Sequence, residues 1–322
     1  MRPGRIGGRR GPLAGLGLAL ALLAGCEQEL PRSSPPPQAR PVALQPQAPH
    51  PPSDKSQALA RYYRKVQNDL LTRGLLRTDG GGPDTPFTAD DLVRDFINIA
   101  FFDEYTRGPL SGGGHGAGAL SRWEVPVRVN VEYGSNVQYG QRTRDANSIT
   151  AYVNRLARVS GHSVSMAANP AAANFHVFVA GEDDSAFVQS RIKQLIPTIS
   201  TPELDLFADL PRGFYCLVIA VAAQNNPNTY VNAVALIRTE HPELVRQACI
   251  HEELAQGLGL PNDSPEARPS IFNDDDEFAL LTRHDELLLK MLYDPRLKPG
   301  MTPDQARPIA RIIARELMGQ AL

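Results

Sequence analysis

Residues 252–262 read Glu252-Glu253-Leu254-Ala255-Gln256-Gly257-Leu258-Gly259-Leu260-Pro261-Asn262, followed by Asp263. A helix opened by Pro242 carries Leu244, Val245 and Ala248 into this stretch. Helical spacing places Glu252 and Gln256 one turn apart on one face, with Glu253 beside them. Gly259 gives the chain a place to turn. His251 is one position from Glu252 and is predicted to face away from this group.

On these residues the stretch resembles the H-E-x-x-H-x-x-G-x-x-H zinc helix of the metzincin peptidases. Glu252 takes the first His position, Glu253 the general base, Gln256 the second His, Gly259 the turn glycine and Asn262 the third ligand. Ser270-Ile271-Phe272-Asn273 resembles the Met-containing turn below the zinc, with Phe272 in place of Met. Leu281-Thr282-Arg283-His284-Asp285 and Leu292-Tyr293 resemble the helix that follows it.

The chain is also similar to a proteobacterial family of lipoproteins, the domain of unknown function numbered 2927. That similarity rests on Arg122-Trp123, Pro126–Val129, Cys249, the 252–263 stretch, Pro269–Asn273, His284–Leu288 and Leu292–Met301. It implies a lipoprotein of the cell envelope and supplies no activity.

Zinc takes His or Cys ligands in a tetrahedral shell, and Glu, Gln and Asn make a poor set for it. A harder ion such as calcium accepts such oxygens, and Asp263 and the run Asp274-Asp275-Asp276-Glu277 add further carboxylates. The same run also reads as a solvated acidic loop. Glu253 is the one candidate catalytic residue, yet a carboxylate without a metal to acidify its water has little hydrolytic power. No cofactor or metal is therefore expected. The expected function is non-catalytic binding of a peptide, protein or wall component in a cleft of zincin-like form. The alternative is a periplasmic metal-dependent peptidase or peptidoglycan hydrolase with an unusual Glu-Glu-x-x-Gln site.

The N-terminus fits a targeting segment. Arg2, Arg5, Arg9 and Arg10 precede the apolar stretch 13–23 and the lipobox-like Leu23-Ala24-Gly25-Cys26. Residues 1–25 read as a signal peptide and Cys26 as a lipidation site that anchors the chain to a bilayer, each buried CH₂ of an acyl chain contributing about 0.8 kcal/mol. Glu27, in place of Asp, favours the periplasmic face of the outer membrane. The proline-rich residues 26–53 form a tether, extended at about 3 Å per residue. Residues 54–121 read as an N-terminal helical segment and 122–322 as the main domain. The net charge of −2 becomes about −6 without the four leader arginines. No basic stripe is visible beyond the leader, so nucleic acid is not an expected partner. Cys216 and Cys249, the pair left after Cys26, are expected to form a disulfide.

Coarse patterning gives helices at 54–76, 88–102, 145–160, 186–195, 242–258, 282–293 and 303–318. Strands fall at 122–131, 175–179, 214–220 and 232–237, the run Phe214–Ala220 reading as the most buried. The order implies an α/β (α+β) fold: one mixed sheet covered by helices, with a helical extension at the N-terminus.

Overall fold

The alternation Val127, Val129, Val131 drives one side of a strand into a core, and the sheet grows around it. The structure is a computed structural model and describes residues 51–102 and 118–321. The leader, Cys26 and most of the proline-rich tether lie outside the described residues. No helix among the described residues is long and apolar enough to cross a membrane.

In chain order the elements are α1 (Asp54–Thr72), α2 (Ala89–Ala100), β1 (Arg122–Trp123), β2 (Val127–Tyr133), α3 (Tyr139–Ser160), β3 (Val164–Met166) and β4 (Phe175–Ala180). There follow α4 (Ser185–Leu195), α5 (Thr201–Ala208), β5 (Cys216–Ala223), β6 (Asn226–Arg238), α6 (Glu243–Gly259), α7 (Arg283–Leu292) and α8 (Pro303–Leu317). The run Arg122–Val131 is split into β1 and β2 because Pro126 has no N–H to give a ladder. Thr88 caps α2 in a reciprocal box with Asp91, as its sequence predicts.

The strands lie in the order β3-β2-β4-β6-β5, with β1 beside the first part of β6. Every pairing is parallel except β5 with β6. The fold is thus the α/β arrangement expected, a mixed sheet with helices on both faces. Val177, Val179 and Ala235 point into the larger core with α2, α3, α6 and α7. Phe178, Val234 and Leu236 point the other way, onto Val188, Ile192 and Phe207 of α4 and α5.

The two N-terminal helices share this body. Leu92, Phe96 and Ile99 of α2 are fully buried in the larger core. From α1, Tyr63 is buried edge-on against Tyr215 and His241, and its hydroxyl donates to the Arg212 carbonyl at 3.0 Å.

One sequence expectation is overturned. The apolar run Phe214–Ala220 is not the most buried strand. The strand it enters, β5, is an edge strand whose residues other than Leu217 are only partly buried, whereas β4 is buried throughout. The run is apolar because both of its faces are covered: Leu217, Ile219 and Val221 by the α4–α5 layer, Val218, Ala220 and Ala222 by the larger core. Its exposure comes from the open edge. The three-residue β3 and the short α5 are too brief to show a period and were not anticipated.

Helix α6 ends against β1 at a distance only glycine allows. Gly259 has φ +128°, and a Cβ there would lie 2.5 Å from the Ser121 carbonyl oxygen. Both strain and overlap oppose a side chain. Gly259→Ala is expected to lower stability by at least ~2 kcal/mol, read as a lower urea midpoint with an unchanged slope.

Candidate functional site

One face of α6 carries Ala248, Glu252, Glu253, Gln256 and Gly257 into a cleft of about 420 Å³, and the opposite wall is β5, including Val218 and Ala220. This volume lies within the range of small-ligand sites. The rim is completed by Tyr62 from α1 and by Ile271 and Asn273 from the loop after α6.

Cys216, first residue of β5, is disulfide-bonded to Cys249 of α6, with Cα atoms 5.8 Å apart. The expected pairing is therefore present, and it fixes one wall of the cleft to the other. Closing a loop of this length contributes roughly 2–4 kcal/mol.

The lining is acidic. Glu203, Glu252, Glu253, Asp263, Asp274 and Asp276 reach it, and no Lys, Arg or His is among the lining residues described. Glu253 is buried on the floor and Glu252 is partly buried. Burial, reinforced by the neighbouring charges of Asp274 and Asp275, raises the Asp276 carboxyl to about 6. Asp276 has φ +57°, a conformation Asp tolerates better than most residues. Its carbonyl accepts from the Leu76 N–H at 2.8 Å, which anchors the acidic loop to the end of α1. Glu277 faces away from the cleft residues' task and pairs with Arg268 and Arg77.

Among the residues singled out from sequence, Glu252, Glu253, Gln256 and Asp263 come together. The Gln256 amide donates to Asp263 at 3.4 Å. Asn262 does not join them: its side-chain amide donates to the Asn98 carbonyl at 2.9 Å and its N–H to Ile99, fastening the loop to α2. Phe272 is fully buried beneath the loop, its N–H donating to Ser270 Oγ at 3.0 Å. Carboxylate oxygens of Glu252 and Glu253 and the sulfur of Cys216 lie within 4.8 Å of one another. A disulfide sulfur is not a thiolate, so that cluster offers two carboxylates. Oxygen donors alone, with the third motif position turned away, do not fit a tetrahedral zinc centre.

The histidines are engaged elsewhere. His251 stacks on Tyr152 with ring centroids 3.9 Å apart, and its Nδ1 accepts the Leu281 N–H at 2.9 Å. His284 lies 3.1 Å from Asp95, both fully buried. Asp285 caps α7 in a reciprocal box with Thr282, as the sequence indicates. It also accepts from Ser270 Oγ at 2.6 Å and the Ile271 N–H at 3.1 Å, bracing the turn at the cleft end.

The β5 wall, Tyr62 and Glu203 were not found from sequence. Tyr62 and Glu203 sit on elements distant in the chain, and no local spacing connects them with α6. The open edge of β5 carries no signal in an apolar run.

Fold and site together define an α/β protein with an acidic cleft between one helix and the edge of its sheet. Residues 89–312, more than half of the chain, match the family described as "Protein of unknown function (DUF2927)", and the chain belongs to that family. No curated protein and no solved structure shows significant similarity to it.

Burial drives the His251 pKa down to about 3, with Arg155 acting in the same direction and Asp285 opposing. An unfolded chain binds that proton below about pH 6.5 and the native chain does not. This contribution is full above pH 6.5 and is lost as pH falls toward 3. Denaturant titrations across that window should show a decline in stability that is shallower for His251→Gln; an identical slope would exclude His251 as a source.

Proposed function

We propose that the protein is a binding module of the cell envelope that holds an extended, positively charged peptide segment along β5. The observation that carries this reading is the open edge of β5 beside an acidic cleft. Among the described residues, Cys216–Ala223 make no backbone hydrogen bonds except within the ladder to β6. Alternate peptide groups along the outer side are available to an added strand. The flanking carboxylates favour Lys or Arg side chains on that strand, and Val218 and Ala220 give it an apolar wall.

The resemblance to the metzincin peptidases belongs to the same reading, as a cleft that keeps the helix and lacks its His ligands. The lipobox-like leader and proline-rich tether favour an acylated chain on the periplasmic face of the envelope, with a peptide, protein or wall peptide as the ligand.

Fluorescence anisotropy with labelled seven- to nine-residue peptides tests the idea. Val- and Lys-containing extended peptides should bind, and alternate backbone N-methylation should abolish binding. Glu252→Gln should weaken it about 5-fold, corresponding to ~1 kcal/mol for a partly exposed ion pair. Equal binding of Asp-containing peptides would sink the proposal, and probe cleavage that disappears in Glu253→Gln would replace it with a hydrolytic reading.

The same cleft implies a pH dependence. Cation affinity should fall as pH drops through about 6, where Asp276 takes up a proton. Asp276→Asn should bind more weakly at pH 7.5 and lose that step, as read from the same anisotropy titrations.

A further inference from the structure

Arg307, Arg311 and Arg315 recur every fourth residue along α8. This spacing puts them in one row, about 6 Å apart along the axis. The sequence reading found no basic stripe beyond the leader because the intervening Pro308, Ile309, Ala310, Ile312, Ile313 and Ala314 hide it; on the folded helix the stripe is present. With Arg94, Asp90 and Val93 of α2 the row lines a groove of about 420 Å³.

Arg94 is already neutralised, by Asp91 at 2.6 Å and Asp95 at 2.9 Å. Glu316, the acidic residue of the last turn, is held by Arg296 at 2.6 Å. Among the described residues no ion pair or hydrogen bond engages the guanidinium groups of Arg307, Arg311 or Arg315, and Arg311 and Arg315 are exposed. Like charges one turn apart destabilise a helix. Asp90 is the one carboxylate residue, among those described, lining the groove with this row, so the row carries an excess of positive charge toward solvent. Ile312 lies between Arg311 and Arg315 in the chain and is 44% exposed, so apolar and basic surface are adjacent.

We propose that this face of α8 docks on an anionic phospholipid surface, with the guanidinium groups on headgroup phosphates and Ile312 at the boundary with the acyl chains. Planar guanidinium groups bind phosphate oxygens in pairs, and a basic row attracts an anionic lipid surface by about 1 kcal/mol per residue, with the exposed Ile312 adding a small apolar contact. The proposed anchor at Cys26 precedes this body in the chain, so contact through α8 would be a second attachment to the same surface. One anchor plus a basic patch also holds a chain more firmly than either alone.

The test uses the full chain carrying Cys26→Ser, which cannot be acylated at that position, so the outcome does not depend on the lipoprotein reading. Cosedimentation compares vesicles of phosphatidylcholine alone with vesicles containing about 30% phosphatidylglycerol, a moderately anionic surface. The leader's own arginines also favour an anionic surface, so the contribution of α8 is read from the difference between wild type and the α8 variant, which share that leader. A clear preference for the anionic vesicles is expected. Arg311→Gln/Arg315→Gln should reduce that preference roughly 25-fold, at about a 5-fold loss for each arginine. Arg158→Gln, an exposed arginine in the last turn of α3, should leave it unchanged, and the melting temperature of the double variant should match wild type. Equal affinity for both vesicles, or a preference the double variant retains undiminished, overturns the proposal. So does binding of pyrophosphate through Arg311 and Arg315 without any preference for anionic vesicles, which would make the row a site for soluble phosphate.

Discussion

The approach of α6 to the sheet is the constraint on which the rest of the site depends. Two glycines set its depth. A Cβ at Gly257 would fall 2.5 Å from the Phe175 ring, and one at Gly259 would meet the backbone before β1. Trp123 completes the contact by donating its indole N–H to the Gly257 carbonyl at 2.8 Å. At the other side of the helix the Cys216–Cys249 bond holds β5. Glycines let the helix come close, and the disulfide fixes the strand it faces. The width of the cleft follows from those two facts rather than from the carboxylates that line it.

Behind α6 the structure uses buried charge as positional fasteners. Arg246 pairs with Asp145 at 2.9 Å in a site almost free of solvent and donates to the His241 carbonyl at 2.8 Å. Asp285 gathers Ser270, Ile271 and Thr282 around one carboxylate. At His284 burial works against the charged ring, but Asp285 and Asp95 outweigh it and hold the pKa above its ordinary value. Such pairs add little net stability, since desolvation offsets most of the attraction, but losing one partner is costly. Their effect is to fix where loops and helices sit. The histidines are engaged in this framework, and none reaches the cleft carboxylates among the described residues.

What the sequence revealed follows the range over which its signals act. Capping at Thr88 and Thr282, the opening of α6 at Pro242 and the valine alternation of β2 are local and were legible. So were Glu252, Glu253, Gln256 and Asp263, because one helix and the turn after it bring them together. Asn262 sits in the same motif, yet its side chain follows the carbonyl at the end of α2, a partner 164 positions away. The edge position of β5 was misread for a similar reason. An apolar run states that two faces are covered, and says nothing about whether the hydrogen-bonding edges are. The arginine row on α8 forms no run along the chain, because a helix gathers it from every fourth position.

An open strand edge is a liability, since a second copy of the same edge can pair with it. Here the edge is apolar on both faces, so covering side chains do little to discourage that pairing. The carboxylates beside it supply the discrimination. Two copies meeting through this cleft would bring Glu252, Asp263, Asp274 and Asp276 of each chain toward their counterparts, and like charges at close range disfavour the pairing. A strand bearing Lys or Arg meets the opposite balance. The same residues that would admit the proposed cationic peptide therefore disfavour self-pairing of the edge, so both effects trace to one electrostatic property of the cleft. The arginines of α8 lie on a different element from those that build the cleft, so opposite charges are kept apart on the surface and each can face a partner of its own sign preference.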